Sequence, residues 1–255
     1  MTSPDPLYND WIHQQIRVRP DCLAFYDLTA DRPFTWKQFD ERVDALAHWL
    51  LHTGIGSGDR IAYLGLNSSD VLEIFFATLR IGAAYVPLNF RLTPPELSFI
   101  VSDCTPSAIF YDRSFRDVID AIDAKVEPKA LVERALDGSE SAYERCFLAD
   151  FAAIEPEAVN ADTLSMCMYS SGTTAKPKGV MYTRRMMLSS ALNLLQPSEA
   201  SPDSRVLNVM PLIHIGGMQF VMMAVKFGIP HLMMRGFDPA TMLSAIDDSD
   251  LGITN

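Results

Sequence analysis

Residues Tyr169 to Val180 read Tyr-Ser-Ser-Gly-Thr-Thr-Ala-Lys-Pro-Lys-Gly-Val, lying after an apolar, strand-like run and ahead of a helical pattern. Ser170, Ser171, Thr173 and Thr174 supply four uncharged donors. Gly172 lets backbone N–H groups turn inward, and Lys176 and Lys178 add positive charge. That set of groups suits a polyphosphate. It is not the common nucleotide loop, G-x-x-x-x-G-K-S/T, because Pro177 stands where the second Gly belongs and Gly179, not Ser or Thr, follows Lys178. A surface linker would account for Ser, Gly and Pro, but not for this order of twelve residues.

A second segment, Pro211-Leu212-Ile213-His214-Ile215-Gly216-Gly217, puts a histidine just after an apolar strand-like run. A lone His in that setting is usually a core residue; alongside the hydroxyl-rich loop it reads as a site residue instead, and the glycines would let backbone and substrate approach closely. Together with Asp59-Arg60-Ile61-Ala62 and the run from Ile81 to Asn89, these segments resemble the adenylate-forming (AMP-binding) superfamily. That superfamily holds acyl-CoA synthetases, aryl-CoA ligases, luciferases and the adenylation domains of peptide synthetases. The resemblance runs from about Pro33 to the end and is most specific at Tyr169 to Val180.

The resemblance implies two steps. A carboxylate attacks the α-phosphate of ATP and releases pyrophosphate; a thiol, usually that of CoA, then displaces AMP. Both reactants of the first step are anionic, so the chemistry needs positioning and charge screening rather than a protein nucleophile. Carried over position by position, Ser170, Ser171, Gly172, Thr173, Thr174 and Lys178 would contact the ATP phosphates. Lys176 falls on a variable position. His214, Gly216 and Gly217 would line the carboxylate and adenylate pocket. ATP, Mg²⁺ and CoA are implied; no catalytic side chain and no metal ligand is assigned within this chain.

Two departures stand out: Ala175 replaces the usual Gly, and Thr183-Arg184 stands where many relatives carry a polar residue and His. The family's later motifs, including Tyr-Gly-x-Thr-Glu, the ribose-binding Asp, the hinge and the C-terminal Lys, have no match before Asn255. The expectation is the N-terminal portion of the large domain of an adenylate-forming enzyme, cut in mid-domain, inactive alone and prone to pair with a second copy through the cut edge. No acid occurs between Ile213 and Val225, which favours a fatty, aryl or other carboxylic acid over an amino acid. A CoA ligase is the leading reading. A luciferase-like enzyme, a peptide-synthetase adenylation domain and a non-catalytic nucleotide-binding or interaction fragment are the alternatives.

Composition narrows the rest. With 48% apolar residues in 255 there is ample material for a core. The net charge of −11, with no basic patch, argues against a nucleic-acid partner. Cys22, Cys104, Cys146 and Cys167 are widely spaced without a C-x-x-C, so reduced thiols and the cytoplasm are expected. Met1 to Asp10 lacks a basic and then apolar pattern, hence no signal peptide. Val206 to Val225 carries no charge, yet Asn208, Pro211, His214, Gly216, Gly217 and Gln219 would be penalised in hydrocarbon. It reads as a buried strand, a loop and a buried helix. The His48/His52 pair offers too few ligands for a metal, and methionines 210, 218, 222, 223, 233 and 234 read as core filling.

Short apolar runs alternating with amphipathic ones specify an α/β protein. The pattern predicts a helix capped by Thr35 and running to Leu51, a strand Arg60–Leu66, a helix from Ser68 or Ser69 to Ile81, and a strand Ala84–Leu88. Beyond these it predicts helix Pro94–Val101, strand Ala108–Tyr111, helix Phe115–Ala124 and strand Ala130–Val132. After the hydroxyl-rich loop come helix Thr183–Leu195, strand Arg205–Met210, a helix to Phe227, strand Pro230–Met234 and helix Pro239–Asp248. Residues 1–160 are read as a first α/β subdomain and 161–255 as the start of a second.

Overall fold

The computed structural model describes residues 10–136, 140–148, 151, 159–170, 176–198 and 204–247. In chain order the first elements are α1 (Trp11–Val18), β1 (Leu23–Asp27), β2 (Arg32–Thr35), α2 (Trp36–His52), β3 (Arg60–Leu64), α3 (Ser69–Arg80), β4 (Ala84–Leu88), α4 (Pro94–Cys104) and β5 (Ala108–Asp112). There follow α5 (Arg116–Asp120), β6 (Ala130–Arg134), α6 (Ala142–Arg145), β7 (Leu164–Tyr169), β8 (Gly179–Thr183), α7 (Arg184–Ser198), β9 (Val206–Asn208), α8 (Ile215–Phe227), β10 (His231–Met233) and α9 (Pro239–Asp247). The α/β class is as expected.

The chain forms two units: Met1–Arg42 with Leu66–Glu73 and Arg184–Asn255, and Val43–Gly65 with Ile74–Thr183. They interleave along the chain, whereas the sequence reading cuts once at residue 160. The interleaving follows from strand pairing, because β1 lies parallel to β10 with Phe25 opposite His231.

The first unit holds a four-stranded sheet of order β2-β1-β10-β9, parallel except for the β1/β2 hairpin. Phe25 packs edge-on to Trp36 and lies 4.3 Å, centroid to centroid, from Phe39. Helix α2 starts where the sequence indicates, since Thr35 and Gln38 exchange hydrogen bonds: the Gln38 N–H donates to Thr35 Oγ1 at 3.2 Å and the Thr35 N–H to Gln38 Oε1 at 2.9 Å. The sequence reading assigned neither α1 nor the β1/β2 hairpin. Within this unit α1 caps the C-terminus of α8: Gln15 Nε2 donates to the Val225 and Lys226 carbonyls, each at 3.1 Å, and Arg19 to that of Gly228 at 3.0 Å.

The second unit holds a six-stranded sheet of order β6-β5-β3-β4-β7-β8, in which only β8 is antiparallel. Its central strands β3, β4 and β5 are apolar on both faces and buried, as a parallel sheet covered by helices requires. The predicted helix Phe115–Ala124 shrinks to a 3₁₀ turn and the five-residue α5. Inside this unit a buried polar set joins three strands: Tyr63 Oη donates to Asp112 Oδ1 at 2.8 Å, and Arg134 pairs with Asp112 and reaches Tyr63 Oη at 3.2 Å. A Cβ at Gly65 would sit 2.5 Å from the Asp112 carboxyl, so the strand can pass this carboxylate only as glycine.

The uncharged run from Val206 to Val225 resolves as read, into β9, a turn and α8. No helix among the described residues is long and apolar enough to cross a membrane. Met218, Met222, Met223, Met233 and Met234 are buried core, while Met210 is exposed. Asp248, the expected end of the last helix, lies outside the described residues.

Candidate functional site

The hydroxyl-rich segment lies between two strands that pair with each other. Strands β7 and β8 pair antiparallel down to Tyr169 opposite Gly179, and one further rung closes the loop: the Ser170 N–H donates to the Lys178 carbonyl at 3.0 Å, and the Lys178 N–H lies 3.4 Å from Ser170 Oγ. The sequence reading passed from loop straight to helix and missed β8, whose Gly-Val-Met-Tyr-Thr is too short and too exposed to show a face. Ser170 and Lys178 therefore stand opposite each other at the mouth of the hairpin loop. Both side chains are exposed. Ser171, Gly172, Thr173, Thr174 and Ala175 lie outside the described residues.

Two side chains beside this loop rest on α4. Tyr169 Oη donates to Asp103 Oδ2 at 2.5 Å, and Lys176 Nζ sits 5.4 Å from the centre of the Phe99 ring. Burial and the Asp103 contact hold the Tyr169 hydroxyl protonated far into the alkaline range. Gly179 makes room for the tyrosine, since a Cβ there would come within 2.7 Å of Cys167 Sγ and 3.3 Å of the Tyr169 ring. Burial pushes the Cys104 thiol up to about 12 and that of Cys167 upward as well, so neither is a nucleophile at neutral pH.

The His214 segment belongs to the other unit. His214 is the N-cap of α8 and is exposed, with its N–H donating to the Pro211 carbonyl at 3.1 Å. Two buried amides shape the segment. Asn67 Oδ1 accepts the Leu212 N–H at 2.8 Å, and its Nδ2 donates to the carbonyls of Met210 at 2.9 Å and Met234 at 3.2 Å. Asn208 Oδ1 accepts the Met210 N–H at 3.0 Å, and its Nδ2 donates to the Gly217 carbonyl at 2.9 Å. The remaining Nδ2 proton faces His231 Nε2 at 3.1 Å, which makes that ring nitrogen an acceptor and the imidazole neutral. Burial agrees, depressing the His231 pKa to about 3.

The two glycines serve different ends. A Cβ at Gly217 would lie 2.7 Å from the Pro211 carbonyl oxygen, so the fold itself demands glycine there; at Gly216 it would meet only the flexible tip of Met210. Tyr169, Asp103, Asn67 and Asn208 were not singled out as site residues from sequence. Tyr169 lay inside the quoted motif and so carried a signal, whereas a buried Asn looks like any turn residue until its backbone partners are known.

The family model for AMP-binding enzymes matches residues 12–254. The chain belongs to the AMP-binding enzyme family. This chain is 32% identical over 236 residues to the long-chain-fatty-acid–CoA ligase FadD13 of Mycobacterium tuberculosis, covering 92% of this chain and 46% of that protein. It is 30% identical over 250 residues to the indoleacetate–CoA ligase of Aromatoleum aromaticum, covering 96% and 48%. The crystal structure of ATP-bound MatB from Rhodopseudomonas palustris superposes with a TM-score of 0.81 at 28% identity, over 94% of this chain and 48% of that one. The chain spans about half the length of the curated relatives it matches.

Proposed function

We propose that the protein is an acyl-CoA synthetase that activates a fatty, aryl or other non-amino carboxylic acid. The carboxylate oxygen bonds to the α-phosphorus of ATP as pyrophosphate leaves; the sulfur of CoA then bonds to the acyl carbon as AMP leaves. The observation that carries this reading is the closed rung between Ser170 and Lys178, which sets a hydroxyl and a lysine opposite each other at the two ends of the hydroxyl-rich segment. Family membership and the names of the two relatives, both acid–CoA ligases, support it. Ser170, Ser171, Gly172, Thr173, Thr174 and Lys178 are assigned to the phosphates, and His214, Gly216 and Gly217 to the border of the acyl-adenylate pocket.

ATP·Mg²⁺ and CoA are the co-substrates in this reading. No metal ligand is assigned within this chain. The buried, reduced cysteines fit a cytoplasmic enzyme.

The test is acid-dependent exchange of labelled pyrophosphate into ATP by the full-length protein, across a panel of fatty and aryl acids. Lys178→Ala should weaken ATP use by about tenfold to a thousandfold, or ~1.4–4 kcal/mol, through loss of a charge-assisted phosphate contact. Lys176→Ala should do less, because that ammonium rests over Phe99. Exchange that is indifferent to Lys178→Ala would refute the phosphate assignment.

A further inference from the structure

We propose that Asp103, with Phe99 one turn before it on α4, is a positioning residue for the phosphate-binding hairpin, acting through Tyr169. The inference rests on the assignment of the hairpin loop to phosphate.

The geometry has three parts. First, α4 is fixed at both ends. Thr93 and Glu96 form a capping box at its start, with the Thr93 N–H donating to Glu96 Oε2 at 2.8 Å. At its end Arg60 donates to the Cys104 carbonyl at 2.7 Å and the Thr105 carbonyl at 3.0 Å. Leu97, Ile100, Val101 and Cys104 bury its inner face in the unit's core. Second, Phe99 and Asp103 are four apart, hence neighbours on one helical face, and they contact the hairpin on both sides of its loop: Asp103 holds Tyr169 ahead of it, and Phe99 holds Lys176 near its end. Third, Gly179, the cross-strand partner of Tyr169, leaves the space that the tyrosine ring occupies.

Asp103 is also misplaced for helix stability. A carboxylate in the last turn of a helix faces the negative end of the helix dipole and is unfavourable there. An exposed acid at this point is accounted for by what it holds: a short, charge-assisted bond from a phenol, one residue before Ser170. With Tyr169 pinned, the Tyr169/Gly179 pair and the Ser170/Lys178 rung cannot slide, and the Lys178 backbone stays where its ammonium meets the phosphates. The Lys176 ammonium meanwhile is parked on the Phe99 face, in keeping with its variable position in the motif.

The experiment is steady-state kinetics in ATP on the full-length protein, with thermal melting in parallel. Tyr169→Phe and Asp103→Ala should each raise the KM for ATP about three- to tenfold, the scale of one lost hydrogen bond, with kcat for adenylation little changed. The double variant should be no worse than either single one, because both remove the same bond. Asp103→Asn retains an oxygen that can accept from the phenol and should restore most of the affinity. The melting temperature should not fall in Asp103→Ala, for the dipole reason given above. If Lys178→Ala raises the KM for ATP while Tyr169→Phe and Asp103→Ala leave it unchanged, the positioning role is wrong and the phosphate assignment stands. If Lys178→Ala too is without effect, the phosphate assignment itself fails and carries the inference with it. Asp103→Asn as impaired as Asp103→Ala, or a double variant with additive losses, would also overturn it.

Discussion

Asn67 grips Leu212 and Met210 at once: its side-chain oxygen takes the Leu212 N–H at 2.8 Å while its amide nitrogen donates to the Met210 carbonyl at 2.9 Å, so both peptide groups next to Pro211 are tied to one buried side chain. The His214 turn is therefore shaped from below as well as by its own Gly217. We expect Asn67→Ala to leave three backbone groups unpaired and to cost about 2–4 kcal/mol in stability, from three bonds of ~1 kcal/mol each with added desolvation. Urea unfolding checks this. In the same variant the KM for the acid should rise more than that for ATP, because the tie bears on the segment assigned to the acyl pocket.

Gly65→Ala should be among the most damaging small substitutions in the chain. The added methyl would lie 2.5 Å from the Asp112 carboxyl, inside the buried set that Tyr63 and Arg134 complete. Overpacking alone costs about 1–3 kcal/mol, and displacing one member of a buried ion pair raises that toward ~3–5 kcal/mol. Denaturant midpoints measure it; a variant as stable as the parent would show that this carboxylate moves aside freely.

His231 makes the fold sensitive to mild acid. Its folded pKa of about 3 lies below the ordinary histidine value of 6.5. Below pH 6.5 the unfolded chain gains a proton that the folded chain refuses, so stability is fully present above that pH and is lost as pH falls toward 3. At pH 5 the loss from this residue amounts to roughly 2 kcal/mol. His231→Gln keeps an acceptor for the Asn208 amide and should flatten that part of the profile. Equal losses between pH 7 and pH 5 in parent and variant would count against a neutral, buried imidazole.

Thiol chemistry should single out Cys22. It is exposed, whereas Cys104, Cys146 and Cys167 are buried, and burial pushes the thiols of Cys104 and Cys146 up to about 12. At pH 8 a thiol of that kind is ionised in about one molecule in ten thousand. Brief iodoacetamide treatment of the native protein followed by peptide mapping should find the label on Cys22, with the other three modified only after unfolding.

Much of this was legible beforehand, and what was not has definite causes. Strand β4 and helices α2 and α3 fall within a residue or so of their expected bounds, and α8 ends at the expected Phe227 though it starts inside the segment read as a loop, because continuous apolar runs and the Thr35 and Ser69 starts mark them locally. The β1/β2 hairpin and β8 were missed: each is a short strand whose identity depends on a partner or an exposed edge rather than on its own pattern. The same reason hid part of the site. Ser170 and Lys178 announce themselves by type, but Asn67 and Asp103 matter through partners 145 and 66 positions away, Leu212 and Tyr169, and no local spacing encodes such a distance.

The pairing of Phe25 with His231 sets a timetable. On a ribosome adding ~5–20 residues per second, β1 emerges about 200 residues before its parallel neighbour β10 and waits on the order of 10–40 seconds for it. During that interval β2 covers one side of β1, while its other side is an open rank of amides and carbonyls, the template that strays pair with. The six-stranded sheet waits less, since its widest gap between neighbours is that of Tyr85 and Met166 and its last strand, β8, is made by residue 183. The nascent chain thus carries a finished lobe and an unfinished one at the same time, and the half that bears His214 is the half that depends on being shielded until synthesis catches up.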